Sequence, residues 1–230
     1  LNTDNMSIAG ESFDYGPYAF IPTYNARFTA ASFDYGGRYS YGNQPYICKF
    51  NLELLQKPLA MITEQSVLEV GLTQFDEAYQ QHYQQLMLQK LGLATATSTS
   101  EISQQQYSEV FTANQDLLAH TVTLLRDSEI GYHGFFAELA QKFTPQWREN
   151  SSSILSNATF AHQINEDWRN AYHKCLNLIS PDIVAEIGDR LQAHNPQTAL
   201  LRPLIESVWQ SISEDNDWQP FASLVAKLQQ

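Results

Sequence analysis

From about residue 51 onward the apolar residues recur at spacings of three and four through long Leu, Gln, Glu and Ala stretches, which is the period of an α-helix rather than of a strand. The clearest run spans about residues 64 to 90. There Val67, Leu68, Leu72, Phe75, Tyr79, Leu86 and Met87 mark one stripe, Gly71 weakens the middle, and Gly92 occupies a C-cap position just beyond. Further helices are predicted at about 103 to 126, 129 to 142, 153 to 176, 181 to 194, 198 to 213 and 219 to 229, with Pro145, Pro181 and Pro196 as separators. The small polar residues after Leu93, through Ser100, have little to bury and read as a surface loop.

The first 46 residues have another character. Seven of the twelve tyrosines and five of the ten glycines fall there with Pro17, Pro22 and Pro45, as expected of loops and short strands. The expected fold is therefore mainly α, with a short β-hairpin and loop segment at the N-terminus, divided as residues 1–50 and a helical part at 51–230. One internal echo occurs: Ser12-Phe13-Asp14-Tyr15-Gly16 returns as Ser32-Phe33-Asp34-Tyr35-Gly36. Two copies do not make a repeat architecture. Either the likeness is a coincidence of a Tyr- and Gly-rich region, or two carboxylates on similar turns serve one site.

Charge narrows the function classes. Thirteen Lys and Arg stand against 25 Asp and Glu, a net charge of -12, so the long-range field repels nucleic-acid phosphates and anionic membranes. Neither is an expected partner. No apolar run approaches the roughly 18 to 20 residues of a membrane span, and no secretory leader is evident at the start. Cys48 and Cys175 have neither metal-ligand nor CxxC spacing and are too few for a disulfide scaffold, so a reducing, cytoplasmic setting is expected. A chain that opens on Leu1 rather than Met is expected to be part of something longer.

Candidate chemistry concentrates at the N-terminus. If Ala9-Gly10 is a two-residue turn, Ile8 faces Glu11, Ser7 faces Ser12, Met6 faces Phe13 and Asn5 faces Asp14. Directly opposed residues of an antiparallel pair share a face with Cβ atoms about 4.5 to 5.5 Å apart, so an amide oxygen and a carboxylate would converge on one point. Two hard oxygen ligands suit Mg²⁺, which fills its octahedron with water and nucleotide phosphates. Met6 and Phe13 would then face the core, and Asp4 would be free to accept a proton from an incoming hydroxyl. Ala-Gly is not the favoured Asn-Gly turn, and the alternative is a longer loop whose shifted register separates the ligands. Asp4-Asn5 also reads as a turn or cap, and Asp14-Tyr15-Gly16 as another turn.

Leu1-Asn2-Thr3-Asp4-Asn5-Met6-Ser7-Ile8, with Phe13-Asp14-Tyr15-Gly16-Pro17-Tyr18, resembles the catalytic segment of the selenoprotein O family, protein-kinase-like adenylyltransferases. Asp34-Tyr35-Gly36-Gly37-Arg38-Tyr39-Ser40-Tyr41 and Asn43-Gln44-Pro45, with Asn51-Leu52 following, are similar to a second block of that family. The likeness is dense over residues 1–52. Beyond them Lys90-Leu91-Gly92-Leu93, Asn195-Pro196 and Leu201-Arg202 are similar to later landmarks, and Phe50 stands where many members have Trp.

The resemblance implies a protein-kinase-like C-lobe that transfers AMP from ATP, with Mg²⁺, to Ser, Thr or Tyr hydroxyls of protein substrates. Asp4 takes the general-base position, Asn5 and Asp14 the metal-ligand positions, and Asp14 also meets the nucleotide. The Gly-rich loop and phosphate-gripping Lys of an N-lobe would lie upstream of Leu1, so this chain by itself is expected to be nearly inert. The family's Cys or selenocysteine tail is not found here, and no redox role is carried over. The alternative is a catalytically incomplete helical scaffold or binding domain.

Other residues add less. Arg38 either forms an ion pair with Asp34 or contacts phosphate. His82, His120, His133, His162, His173 and His194 form no HExxH-type pair, so no zinc site is expected. Trp147, Trp168, Trp209 and Trp218 read as packing anchors.

Overall fold

Small polar residues and prolines set the helix limits. The computed structural model describes residues 6, 7, 9, 11, 16–93 and 103–229, and is mainly helical. Among the described residues the α-helices are α1 (Gln44–Leu59), α2 (Gln65–Thr73), α3 (Phe75–Lys90), α4 (Gln104–Ser128), α5 (Tyr132–Lys142), α6 (Glu166–Leu178), α7 (Pro181–His194), α8 (Arg202–Asp215) and α9 (Gln219–Leu228). No strand occurs among them; the one extended pairing is an isolated antiparallel bridge between Thr23 and Gly131. None of these helices is long and apolar enough to cross a membrane.

The chain divides into two units, Leu1–Tyr18 with Asn25–Gln84, and Ala19–Tyr24 with Gln85–Gln230. In the first, α1 opens seven residues before the compositional change at 51, because Pro45 in its first turn supplies a preset φ at the cost of no useful N–H. Gln56 Nε2 donates to the Leu68 carbonyl at 3.0 Å and ties α1 to α2. The run expected as one helix over 64 to 90 is interrupted at Gln74, not at Gly71. The Thr73 hydroxyl donates to the Val70 carbonyl at 2.8 Å, the acceptor a continuous helix would offer to the Gln74 N–H.

The second unit holds most of the core. Leu117, Leu125, Phe135, Leu139, Trp168, Tyr172, Leu176, Ile187 and Leu191 are fully or almost fully buried, where α4 packs on α6 and α5 on α7. Ser103 and Gln106 form a reciprocal capping box at the start of α4. Ser180 with Pro181 starts α7, and the Asn165 side chain accepts the Trp168 N–H to start α6.

The helix expected over 153 to 176 is correct only from Glu166. Before it the backbone makes short 3-10 turns at Ser151–Ser153 and Ala161–Gln163, with Leu155 in the left-handed region at φ 52°. Ile154, Leu155, Phe160 and Ile164 are buried and mimic a helical stripe, but the Ser, Asn and Thr between them favour turns. One side chain closes this segment. Arg169 donates through Nε to Ile154 O, through Nη1 to Ile164 O and through Nη2 to Ala161 O, at 2.9, 3.0 and 3.0 Å.

The end of α3 matches its sequence signal. Gly92, at φ 77°, lets the Leu93 N–H reach Leu88 O at 2.9 Å, a Schellman closure. The carbonyls left over at that end are taken by side chains from far along the chain: Asn195 Nδ2 donates to Lys90 O at 2.8 Å and the Tyr172 hydroxyl to Leu91 O at 3.1 Å.

Candidate functional site

The loop of residues 25–43 carries the second motif block and is closed by main-chain bonds. Tyr41 N donates to Phe28 O at 2.8 Å and Gly42 N to Ala26 O at 2.9 Å. Gly42 has no spare volume: a Cβ there would lie 2.9 Å from the Ala26 Cβ and 3.1 Å from its carbonyl oxygen. The chain is pinched at this point.

Inside the pinch, Asp34 organises a turn. Its Oδ1 accepts the Arg38 N–H at 3.0 Å, its Oδ2 accepts the Tyr39 N–H at 2.8 Å, and Gly37 adopts φ 65° to let the backbone return. With its carboxylate so occupied, Asp34 forms no ion pair with Arg38. The flanking Phe33 and Tyr35 point outward, Tyr35 being 96% exposed.

Arg38 is itself exposed, and its guanidinium carbon lies 5.7 Å from the centroid of the Tyr39 ring and 5.6 Å from that of Phe50 in α1. Both contacts fall within cation–π range. Asn43 Nδ2 donates to the Arg38 carbonyl at 2.7 Å, which is why Asn43, at the N-cap position of α1, makes no side-chain cap bond. Among the described residues no carboxylate pairs with Arg38.

Local charge departs from that of the whole chain. Over residues 17–52, Arg27, Arg38 and Lys49 face Asp34 as the single acid, against a net charge of -12 for the protein. Lys49 is paired with Asp76, whereas Arg27 has no ion pair among the described residues.

Asp4, Asn5 and Asp14 lie outside the described residues, as do most members of the expected hairpin. Of its described members, Met6 is 38% exposed rather than in the core, and its sulfur accepts a bond from Asn51 Nδ2 at 3.0 Å. Asn51 is 5% exposed. Through this contact the two motif blocks of the sequence meet at α1. Among the described residues no three His, Cys, Asp or Glu side chains gather to hold a metal. The donor set that the sequence assigns to Mg²⁺, one amide oxygen and one carboxylate, is of the hard-oxygen kind that ion takes.

Sequence reasoning missed Asn43 and Asn51 as site-building residues. Asn43 stood in the second motif block, but nothing in its spacing showed that its amide holds the Arg38 carbonyl. Asn51 stood at the end of the same block, but its bond to Met6 could not be read there, because a buried amide in mid-helix is defined by its partner and not by its neighbours. Cys48, half-buried in α1, has its thiol pKa raised by burial and is held as the thiol.

The model of the family described as protein adenylyltransferase SelO matches residues 1–229. A protein nucleotidyltransferase YdiU of Trichodesmium erythraeum is 45% identical over 229 residues, covering 99% of this chain and 45% of the relative. Those of Trichormus variabilis and Gloeobacter violaceus are each 44% identical, covering 100% and 99% of this chain and 46% and 44% of the relatives. The chain thus spans a little under half the length of the curated relatives it matches.

Proposed function

The chain belongs to the protein adenylyltransferase SelO family, and on that basis we propose that it contributes the catalytic segment by which the intact polypeptide transfers AMP from ATP to Ser, Thr or Tyr hydroxyls of proteins. The observation that carries this reading is the family match over residues 1–229, which takes in both motif blocks. In this reading the chain is a kinase-like C-lobe whose first residues form a hairpin, and it works in the cytoplasm with an N-lobe of the same polypeptide.

Asp4 is the general base. Its carboxylate accepts the proton of the acceptor hydroxyl as the hydroxyl oxygen bonds to the α-phosphorus of ATP; the bond to the bridging oxygen breaks and pyrophosphate leaves. Asn5 and Asp14 hold Mg²⁺, which when bound neutralises phosphate charge. Arg38 contacts phosphate from the adjoining loop. Without the N-lobe the nucleotide would touch one wall of its cleft, so the chain alone is nearly inert.

The test is transfer of label from α-labelled ATP with Mg²⁺ to protein, using the polypeptide extended upstream of Leu1. Label transfer by the wild type, reduced about a hundredfold or more in Asp4→Ala and Asp14→Ala, is expected. Equal labelling by wild type and Asp14→Ala would remove Asp14 from the mechanism.

A further inference from the structure

Arg38 combines features that an ordinary surface arginine lacks. Its backbone is fixed on both sides, the N–H by Asp34 Oδ1 and the carbonyl by Asn43 Nδ2. Its guanidinium lies over two aromatic faces, Tyr39 and Phe50, which restrict the side chain while leaving its N–H donors unspent on any carboxylate among the described residues. The nearest acid in sequence, Asp34, is held away by its bonds to the Arg38 and Tyr39 N–H groups. A cation so placed, in the locally basic part of an acidic chain, is suited to receive an anion.

The geometry points to a preorganised oxyanion receptor in the 34–43 loop: Arg38 binds phosphoryl oxygens, and Asp34 and Asn43 are positioning residues that hold its backbone without touching the ligand. The phosphoryl source rests on the nucleotide-transfer reading above. The positioning roles of Asp34 and Asn43 do not. A guanidinium whose stem is fixed loses less freedom on binding, so disturbing Asp34 should weaken binding even though every charge that meets the ligand remains.

The experiment is a calorimetric titration of inorganic pyrophosphate into the full chain, without metal and at fixed ionic strength. Saturable binding is expected for the wild type, about tenfold weaker in Arg38→Gln. Asp34→Ala should weaken it about threefold, and Arg38→Lys should not restore it, since an ammonium is a point charge rather than a planar fork. Arg27→Gln, on the same loop, should stay within about twofold. Absence of wild-type binding, unchanged binding in Arg38→Gln, or equal weakening by Arg27→Gln and Arg38→Gln would each overturn the proposal. So would tighter binding of a glutamate-rich peptide than of pyrophosphate. Should Asp34→Ala fail to fold, the Arg38 Nε–Hε resonance of the wild type decides instead: a shift on adding pyrophosphate supports the receptor, and no shift overturns it. Loss of Asp14 from the transfer mechanism leaves this titration unaffected, so the two readings fail separately.

Discussion

The Asn195 side-chain amide donates to the carbonyl of Lys90, 105 residues earlier, at 2.8 Å, and to Leu191 O within its own helix end at 2.9 Å. Asn195 is 1% exposed. One residue thus stitches the end of α3 to the end of α7, and both belong to motif stretches noted in the sequence. Asn195→Ala leaves the half-buried Lys90 carbonyl without that donor and is expected to cost about 1 to 2 kcal/mol. Asn195→Asp, which offers acceptors to a site that needs donors, should cost more. Urea unfolding of the three proteins measures both differences, and equal stabilities would refute the role.

Gly92 and Gly71 make a matched pair. At Gly92 a Cβ would lie 2.7 Å from Ile187 Cγ2 and 3.0 Å from Leu191 Cγ, and the backbone is left-handed. At Gly71, inside α2, a Cβ would meet nothing within 4 Å. Gly92→Ala is therefore expected to destabilise by about 2 to 4 kcal/mol and Gly71→Ala to stabilise by about 0.5 to 1 kcal/mol. Thermal melts of the two variants should move in opposite directions.

Arg169 holds three carbonyls that no helix ladder satisfies. Arg169→Lys retains the charge but has no fork to reach all three, so a loss of about 2 kcal/mol or more is expected. Hydrogen exchange should accelerate first over residues 151–165, before the α4–α6 core. Uniform acceleration across the chain would show that the clamp is not local.

Burial raises the Cys175 thiol to about 12 and pushes the Tyr172 hydroxyl up as well. Both groups favour the protonated form when folded. Their contribution is complete below the unfolded values, near 9 for Cys and 10 for Tyr, and is lost as pH rises toward the folded values. Stability should fall from about pH 9 upward, and the fall should be shallower in Cys175→Ala whatever its stability at neutral pH. A melting-temperature series from about pH 7 to 10.5 reads the slope. Thiol labelling by a disulfide reagent at about pH 8 should reach Cys175 only on unfolding.

His133 gives the opposite sign. Burial, and then the nearby Lys90, lower its pKa, and its Nε2 is buried without a partner. The neutral ring is the folded form, so its contribution is present above the ordinary His value of about 6.5 and is lost as pH falls. His133→Gln should flatten the acid limb of the stability profile between about pH 7 and 5; an unchanged limb would assign the loss to other groups.

What the sequence could reveal depended on whether a feature was local. Gly92 and Pro181 announce themselves within a turn or two, and the structure has them where the cap and the helix break put them. The segment before Glu166 deceived because burial of Ile154 and Leu155 leaves the same apolar mark whether the backbone is helical or turning. The decision there belongs to Arg169, which arrives from later in the chain. The candidate site divides in the same way. The segment around Asp4, Asn5 and Asp14 was recognisable as a motif, whereas the setting of Arg38 was not, because the carboxylate of Asp34 had two possible partners and spacing does not say that main-chain N–H groups win.

The pinch between Ala26 and Gly42 makes the volume at these two positions a shared quantity. A methyl group added at 42 meets the Ala26 backbone as well as its side chain, at 3.1 Å to the carbonyl oxygen, so giving up the methyl at 26 relieves only the closest contact and the main chain must still give way. Any lineage that enlarges residue 42 would spread the loop at its neck and slacken the tether that fixes the direction of the arginine fork.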